Sequence, residues 1–212
     1  MRAGWESLWT SSPRGQARRF VVTLALMLVG LVCFRLVQLS VTPVHNFETA
    51  LDHVIPFIPG SLAIYLSFFG FLAVGGARAT PREFEVILFA TMLALIIAFL
   101  CFSLVPAAVT RPDVSVIESE FLRRRFTRMR GVDDAHNSFP SLHVAITWVF
   151  LEGYRNKRGV GLAVVAAVLI SVSTLTVKQH CVADVVGGMV LGWCAVAVAR
   201  WRLTAWAASC SS

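Results

Sequence analysis

Of 212 residues, 57% are hydrophobic and only 15% are charged, with a mean hydropathy of +0.72, whereas a soluble domain is roughly half apolar and about a quarter charged. This balance excludes a water-soluble globule, a disordered chain and a collagen-like or coiled-coil fibre, and no motif for reading nucleic acid accompanies the formal charge of +7. Seventeen arginines against two lysines point instead to loop topology and to anionic lipid headgroups as partners.

Residues 1–19 form a basic interfacial segment, with Arg2, Arg14, Arg18 and Arg19 beside the aromatic anchors Trp5 and Trp9. The apolar run 20–40 is too long for a signal peptide and lacks a small-residue cleavage site, so it is predicted as an uncleaved first span. Residues 41–60 are half polar and broken by Pro43, Pro56, Pro59 and Gly60, which fits a short helix lying flat at the interface. Runs 61–77 and 86–110 are the second and third spans, separated by the turn at 79–82. The fourth runs 139–151, the fifth 159–177 and the sixth 185–199. About 20 apolar residues cross a bilayer, so one six-span domain over 20–203 fits, followed by a tail at 204–212. The expected fold is an all-α, six-helix membrane bundle.

Cys33, Cys101, Cys181, Cys194 and Cys210 are odd in number and mostly scattered through apolar stretches. They read as small buried hydrophobes, with no paired spacing for a disulfide framework or a metal site. No metal and no cofactor is implied.

Threading six spans places eleven basic residues on the side of both termini and seven on the other. The positive-inside rule then puts the termini in the cytoplasm, although Arg123, Arg124, Arg125, Arg128 and Arg130 stand against it in one run. That run reads first as a solvated or headgroup-facing surface.

The same threading gathers Arg111, His143, Lys178, His180 and Asp184 on one face. An ionisable group at mid-membrane costs about 3 kcal/mol on insertion scales, so such groups face a cavity or one another. His180 and Asp184 are four apart, about 40° around a helix, within hydrogen-bond reach. Asp184 then fixes the imidazole tautomer and leaves its second nitrogen free as nucleophile or base. His143 follows a helix start, Asn137-Ser138-Phe139-Pro140-Ser141-Leu142, read as a capping Asn or Ser with proline in the first turn. A helix N-terminus favours an anion such as phosphate. The Ser141 hydroxyl, Lys178 and the Arg111 fork would add donors and charge.

NSFPSLHVA at 137–145 and KQHCVADVVGG at 178–188 together resemble the paired signatures of the type 2 phosphatidic acid phosphatase superfamily. HVIPFIPGSLAIY at 53–65 is similar to its inositol phosphorylceramide synthase-like branch. The resemblance implies metal-independent phosphoryl transfer through a phosphohistidine. His180 matches the nucleophile, Asp184 its orienting acid, and His143 the group that protonates the leaving oxygen. Three positions depart from the superfamily pattern: Leu104 stands for a lysine, Ser173-Thr174 for Ser-Arg, and Leu142 for a glycine. Lys178 and the 123–130 arginines are the expected substitutes for the absent cations.

The resulting expectation is an integral membrane lipid phosphate phosphatase, acting on a phosphatidic acid-like lipid or a prenyl diphosphate. Its alternatives are a lipid phosphotransferase and a non-enzymatic scaffold or transporter. The setting expected is a bacterial plasma membrane, with cytoplasmic termini and the active site on the outer face. Oligomeric state is left open.

Overall fold

The computed structural model describes residues 12–133 and 136–209. Arg2, Trp5, Trp9 and Cys210 therefore lie outside the described residues. The described residues are all-helical, 77% helix with no strand among them. α1 spans Pro13–Ser40, α2 Ala50–Val54, α3 Leu62–Arg78 and α4 Pro81–Leu104; α5 spans Glu120–Val132, α6 Leu142–Phe150, α7 Val160–Thr176 and α8 Val182–Ser209. Short 3₁₀ turns precede α3 and follow α6.

Local chemistry sets the boundaries. Ser12 accepts from Gly15 N–H and Pro13 opens α1. At α4, Thr80 and Glu83 close a reciprocal capping box ahead of Pro81, satisfying amides the helix itself leaves unpaired. α4 ends at Leu104 rather than carrying a span to residue 110. Pro106 has no N–H to donate, and its carbonyl accepts from Val44 and His45 while Ala108 N–H donates to His45 O. Residues 105–110 are thus hydrophobic but run beside the segment after α1.

Among the described residues, four helices are long and apolar enough to cross a membrane: Pro13–Ser40, Pro59–Arg78, Pro81–Leu104 and Val182–Trp206. α7 is a shorter apolar helix, and α6 has nine residues extended by the Leu151–Tyr154 turn. Leu28, Val32 and Leu36 on α1 and Leu162 and Val165 on α7 stand exposed, as lipid-facing side chains do in an integral membrane protein.

α6 lies at the centre, packed by α3, α4, α7 and α8. Phe84, Ile87, Ala94, Ala98 and Phe102 form a buried stripe on α4 at helical spacing. α8 approaches α6 through Gly188 and Gly192, where an added Cβ would stand 2.4 Å from Ser141 O and 2.6 Å from Ala145 O. This close seam sets the distance between the two histidine-bearing segments. α5 packs into a second buried cluster, its Phe126 held with Leu62 and Tyr65 of α3, Ile117 and Val177.

Gly188→Ala should lower stability by about 1–3 kcal/mol through overpacking. Gly70→Ala, whose Cβ would meet nothing within 4 Å, should be neutral or slightly stabilising. Thermal unfolding of both variants in detergent checks this, and equal effects would contradict the close seam.

Candidate active site

The turn between α7 and α8 carries His180. Lys178 takes a left-handed conformation with φ +57°, a geometry that costs a non-glycine residue about 1–2 kcal/mol. The amides of Gln179 and His180 both donate to Thr174 O, at 3.0 and 3.2 Å. Lys178 Nζ donates to the carbonyls of Asp52 and Ile55, at 2.8 and 2.7 Å, at the C-terminal end of α2, where carbonyls lack helical partners. Asp52 returns the contact by accepting from Val182 N–H at 2.7 Å. Burial opposes ionisation of Asp52, but the amides of Thr49 and Val182, the Thr49 hydroxyl and Lys178 outweigh it and hold its carboxyl below the usual range. α2 thus straps down the turn that presents His180.

Asp184 is fully buried. Its Oδ2 accepts from Cys181 N–H at 3.0 Å and lies 3.4 Å from His180 Nδ1. His180 precedes the first helical residue, Val182, so the pair meets across the entry turn rather than along a helix face as the spacing alone implied. With Nδ1 held by the carboxylate, the second ring nitrogen is left for chemistry. Beside it, burial and then Asp184 push the Cys181 thiol up to about 12, which leaves it unreactive as a nucleophile at neutral pH.

His143 comes from the first turn of α6. Ser141 is the N-cap, accepting from Val144 N–H at 3.3 Å; Pro140 stands before the cap rather than inside the first turn. Ser141 N–H donates to Asp184 O at 3.0 Å, so one hydrogen bond joins the two motifs. The His143 ring stacks on Tyr65, with centroids 4.2 Å apart and planes 14° apart, and lies 3.8 Å from Phe68. Its Nε2 is 3.3 Å from Tyr65 O; a carbonyl only accepts, so this nitrogen carries the proton.

His143 and His180 line one cavity of about 430 Å³. Arg125, Arg128 and Asp133 line it with them, and Leu26, Phe34, Leu66, Phe69 and Ile146 give it apolar walls. Lys178 and Arg111 do not line this cavity. Lys178 lines a small neighbouring pocket with Asp52 and His180. Arg111 ties two segments together: Nη1 donates to Asp133 O at 2.7 Å, while Nη2 donates to Gln179 Oε1 and sits 3.7 Å from Asp133 Oδ1. Both cations that sequence spacing assigned to phosphate are therefore engaged in holding the site's frame. The Ser141 hydroxyl is likewise occupied as a cap acceptor.

Two residues the motifs did not single out stand at the site. Tyr65 supplies the ring and carbonyl that fix His143, and its hydroxyl donates to Asp133 Oδ2 at 3.4 Å. Burial raises the Asp133 carboxyl above its ordinary range, against the pull of Arg111 and His180. Tyr65 closes the segment 53–65 noted in the sequence, while the only signal for Asp133 is an acid directly after a basic helix. Among the described residues, no three His, Cys, Asp or Glu side chains group as metal ligands.

An all-helical chain with long apolar helices presents two histidines to one cavity, one of them backed by a buried carboxylate. The profile of the PAP2 superfamily matches residues 35–199, most of the chain and both histidine motifs, and the chain belongs to that superfamily. Its members are generally phosphatases or phosphotransferases, and with the apolar helices the match points to a membrane phosphatase-type protein. No curated protein and no solved structure matches the chain.

Asp184→Asn keeps an acceptor for Cys181 N–H but removes the charge that orients His180. It should fold as the parent does and lose about 10²–10⁴-fold in turnover, the range for a mispositioned acid–base group. Phosphate release from dioleoyl phosphatidic acid, read beside the unfolding temperature, checks it; unchanged turnover would contradict the orienting role.

Proposed function

We propose that this chain is a six-span lipid phosphate phosphatase that works through a phosphohistidine on His180. The observation that carries the reading is the shared cavity: His143 and His180 line it together, while Asp184 sits behind His180 and is closed off from it.

In the proposed cycle the free nitrogen of His180 attacks phosphorus, and the bond from phosphorus to the lipid oxygen breaks. His143, in its imidazolium form with Nε2–H kept on Tyr65 O, gives the Nδ1 proton to that oxygen, and the lipid alcohol leaves. Water then attacks the phosphohistidine, the N–P bond breaks, and His143 recovers a proton from the water. Asp184 stabilises the positive charge that His180 acquires in the first step. The amides at the α6 N-terminus add donors to the phosphate oxygens. No cofactor or metal takes part in the proposed cycle. The remaining work is positioning and charge stabilisation.

Under this reading α6 with its 3₁₀ extension is the fourth span and α7 the fifth, and the domain runs 20–203. At about 1.5 Å per residue, the 17 residues of α7 extend about 26 Å, near the thickness of a hydrocarbon core. The termini are cytoplasmic and the site opens on the outer face of a bacterial plasma membrane.

A phosphotransferase reading is favoured by one observation. Residues 53–65, similar to the inositol phosphorylceramide synthase-like branch, deliver Tyr65 directly onto His143. In that case a second lipid alcohol replaces water as the attacking group.

Purified protein given dioleoyl phosphatidic acid or a prenyl diphosphate should release inorganic phosphate, and His180→Ala should abolish it. A labelled headgroup moved to an acceptor lipid without matching release would select the transferase. Release equal in the parent and in His180→Ala would overturn both, and silence on a broad lipid panel would favour a non-enzymatic scaffold or transporter.

A further inference from the structure

A phosphoryl group at neutral pH carries between one and two negative charges, and the cavity that accepts it must supply compensating cations. Arg111 and Lys178 are turned to Asp133, Gln179 and the α2 carbonyls. Leu104 is 76% exposed at the end of α4, and Thr174 is fully buried with its hydroxyl on Ser171 O. None of these four positions brings a positive charge into the cavity.

α5 divides its arginines into two groups. Arg123 and Arg124 both meet Glu120, at 2.9 and 2.7 Å, and Arg130 donates to Pro112 O at 2.6 Å. Arg125 and Arg128 are three apart, hence on one face of the helix, and both line the cavity that holds His143 and His180. They are the Lys or Arg side chains among its described lining residues. The Arg125 guanidinium lies 5.0 Å from the Phe121 ring centroid, a contact that steadies the side chain while leaving its N–H edge able to donate. Phe126, buried beneath, fixes the rotation of α5 against α3 and so the side on which these two arginines emerge.

The same cavity is also lined by Met27 and Leu31 of α1 and by Leu66 and Leu72 of α3. A ligand that satisfies both ends is an amphiphile, with an anionic head and a hydrocarbon tail. We infer that Arg125 and Arg128 form a headgroup clamp for a lipid phosphate, binding its oxygens at the two histidines while its chain lies between α1 and α3. This rests on the phosphatase reading above and gives α5 a substrate-binding role in place of a general headgroup-facing one. The guanidinium forks hold the phosphate in the ground state and through transfer to His180.

The test separates binding from chemistry. In the His180→Ala background, in dodecyl maltoside, the Kd for dioleoyl phosphatidic acid is measured by titration for R125Q/R128Q, R125K/R128K and R123Q/R124Q. R125Q/R128Q should bind at least about tenfold more weakly, from the loss of charge-assisted bonds. R125K/R128K should fall between it and the parent, and R123Q/R124Q should match the parent. Inorganic phosphate should bind more weakly than the lipid yet show the same order, whereas equal affinity for both would remove the tail from the proposal. With His180 present, R125Q/R128Q should raise KM by a larger factor than it lowers kcat.

Parental affinity in a folded R125Q/R128Q, or equal weakening in R123Q/R124Q, would overturn the clamp. If the glutamine pair does not fold, R125K/R128K decides: affinity equal to the parent would overturn the bidentate role. Affinity that follows Arg125 and Arg128 while no variant hydrolyses lipid would keep the clamp and sink the catalytic reading. Unaltered affinity with His180-dependent turnover intact would do the reverse.

Discussion

A carboxylate with no exposed surface is costly to bury, and the arrangement of this protein follows from how Asp184 is met through Oδ2 and its backbone carbonyl, while the buried Oδ1 accepts no hydrogen bond among the described residues. Its side chain takes the Cys181 amide and faces the His180 ring, and its backbone carbonyl takes the Ser141 amide. Those contacts fix the start of α8, the tautomer of His180 and the start of α6 relative to it. The glycines of α8 permit the approach, since a side chain at Gly188 would collide with the carbonyl of Ser141. Packing and chemistry here share one constraint.

Around that point the chain uses polar groups twice, once for frame and once for function. Arg111, Lys178, Asp52 and Gln179 hold turns in place, and none of them lines the histidine cavity. His143, His180, Arg125, Arg128 and Asp133 face it. Counting charges near a motif does not separate the two groups. The separation depends on carbonyls: Lys178 is drawn to the C-terminal end of α2 because Asp52 and Ile55 offer oxygens there, and no side-chain pattern announces them.

Much of the fold was legible because hydrocarbon demands long apolar runs with saturated backbones. A helix lies within each predicted apolar run, and among the described residues four helices are long and apolar enough to cross a membrane. The errors fall at the ends. The third apolar run reaches residue 110 because Val105, Ala107, Ala108 and Val109 are apolar, yet Pro106 turns that stretch into an extended partner of His45. The sixth apolar run covers 185–199, while the helix runs Val182–Ser209 through Arg200 and Arg202. At the site, the spacing of His180 and Asp184 foretold their contact but not its geometry, which depends on the turn at Lys178. Asp133 was hidden because its place depends on where α5 is anchored by Phe126, a tertiary fact.

In the proposed cycle His180 carries the transferred phosphate. Its most direct measurement is rapid alkaline quenching of the purified protein with a lipid phosphate, followed by peptide mapping of acid-labile phosphate by mass spectrometry. Phosphate is expected on His180 and absent from His180→Ala. Lipid turnover with phosphate on another residue, or with no covalent phosphate under any quench, would contradict it.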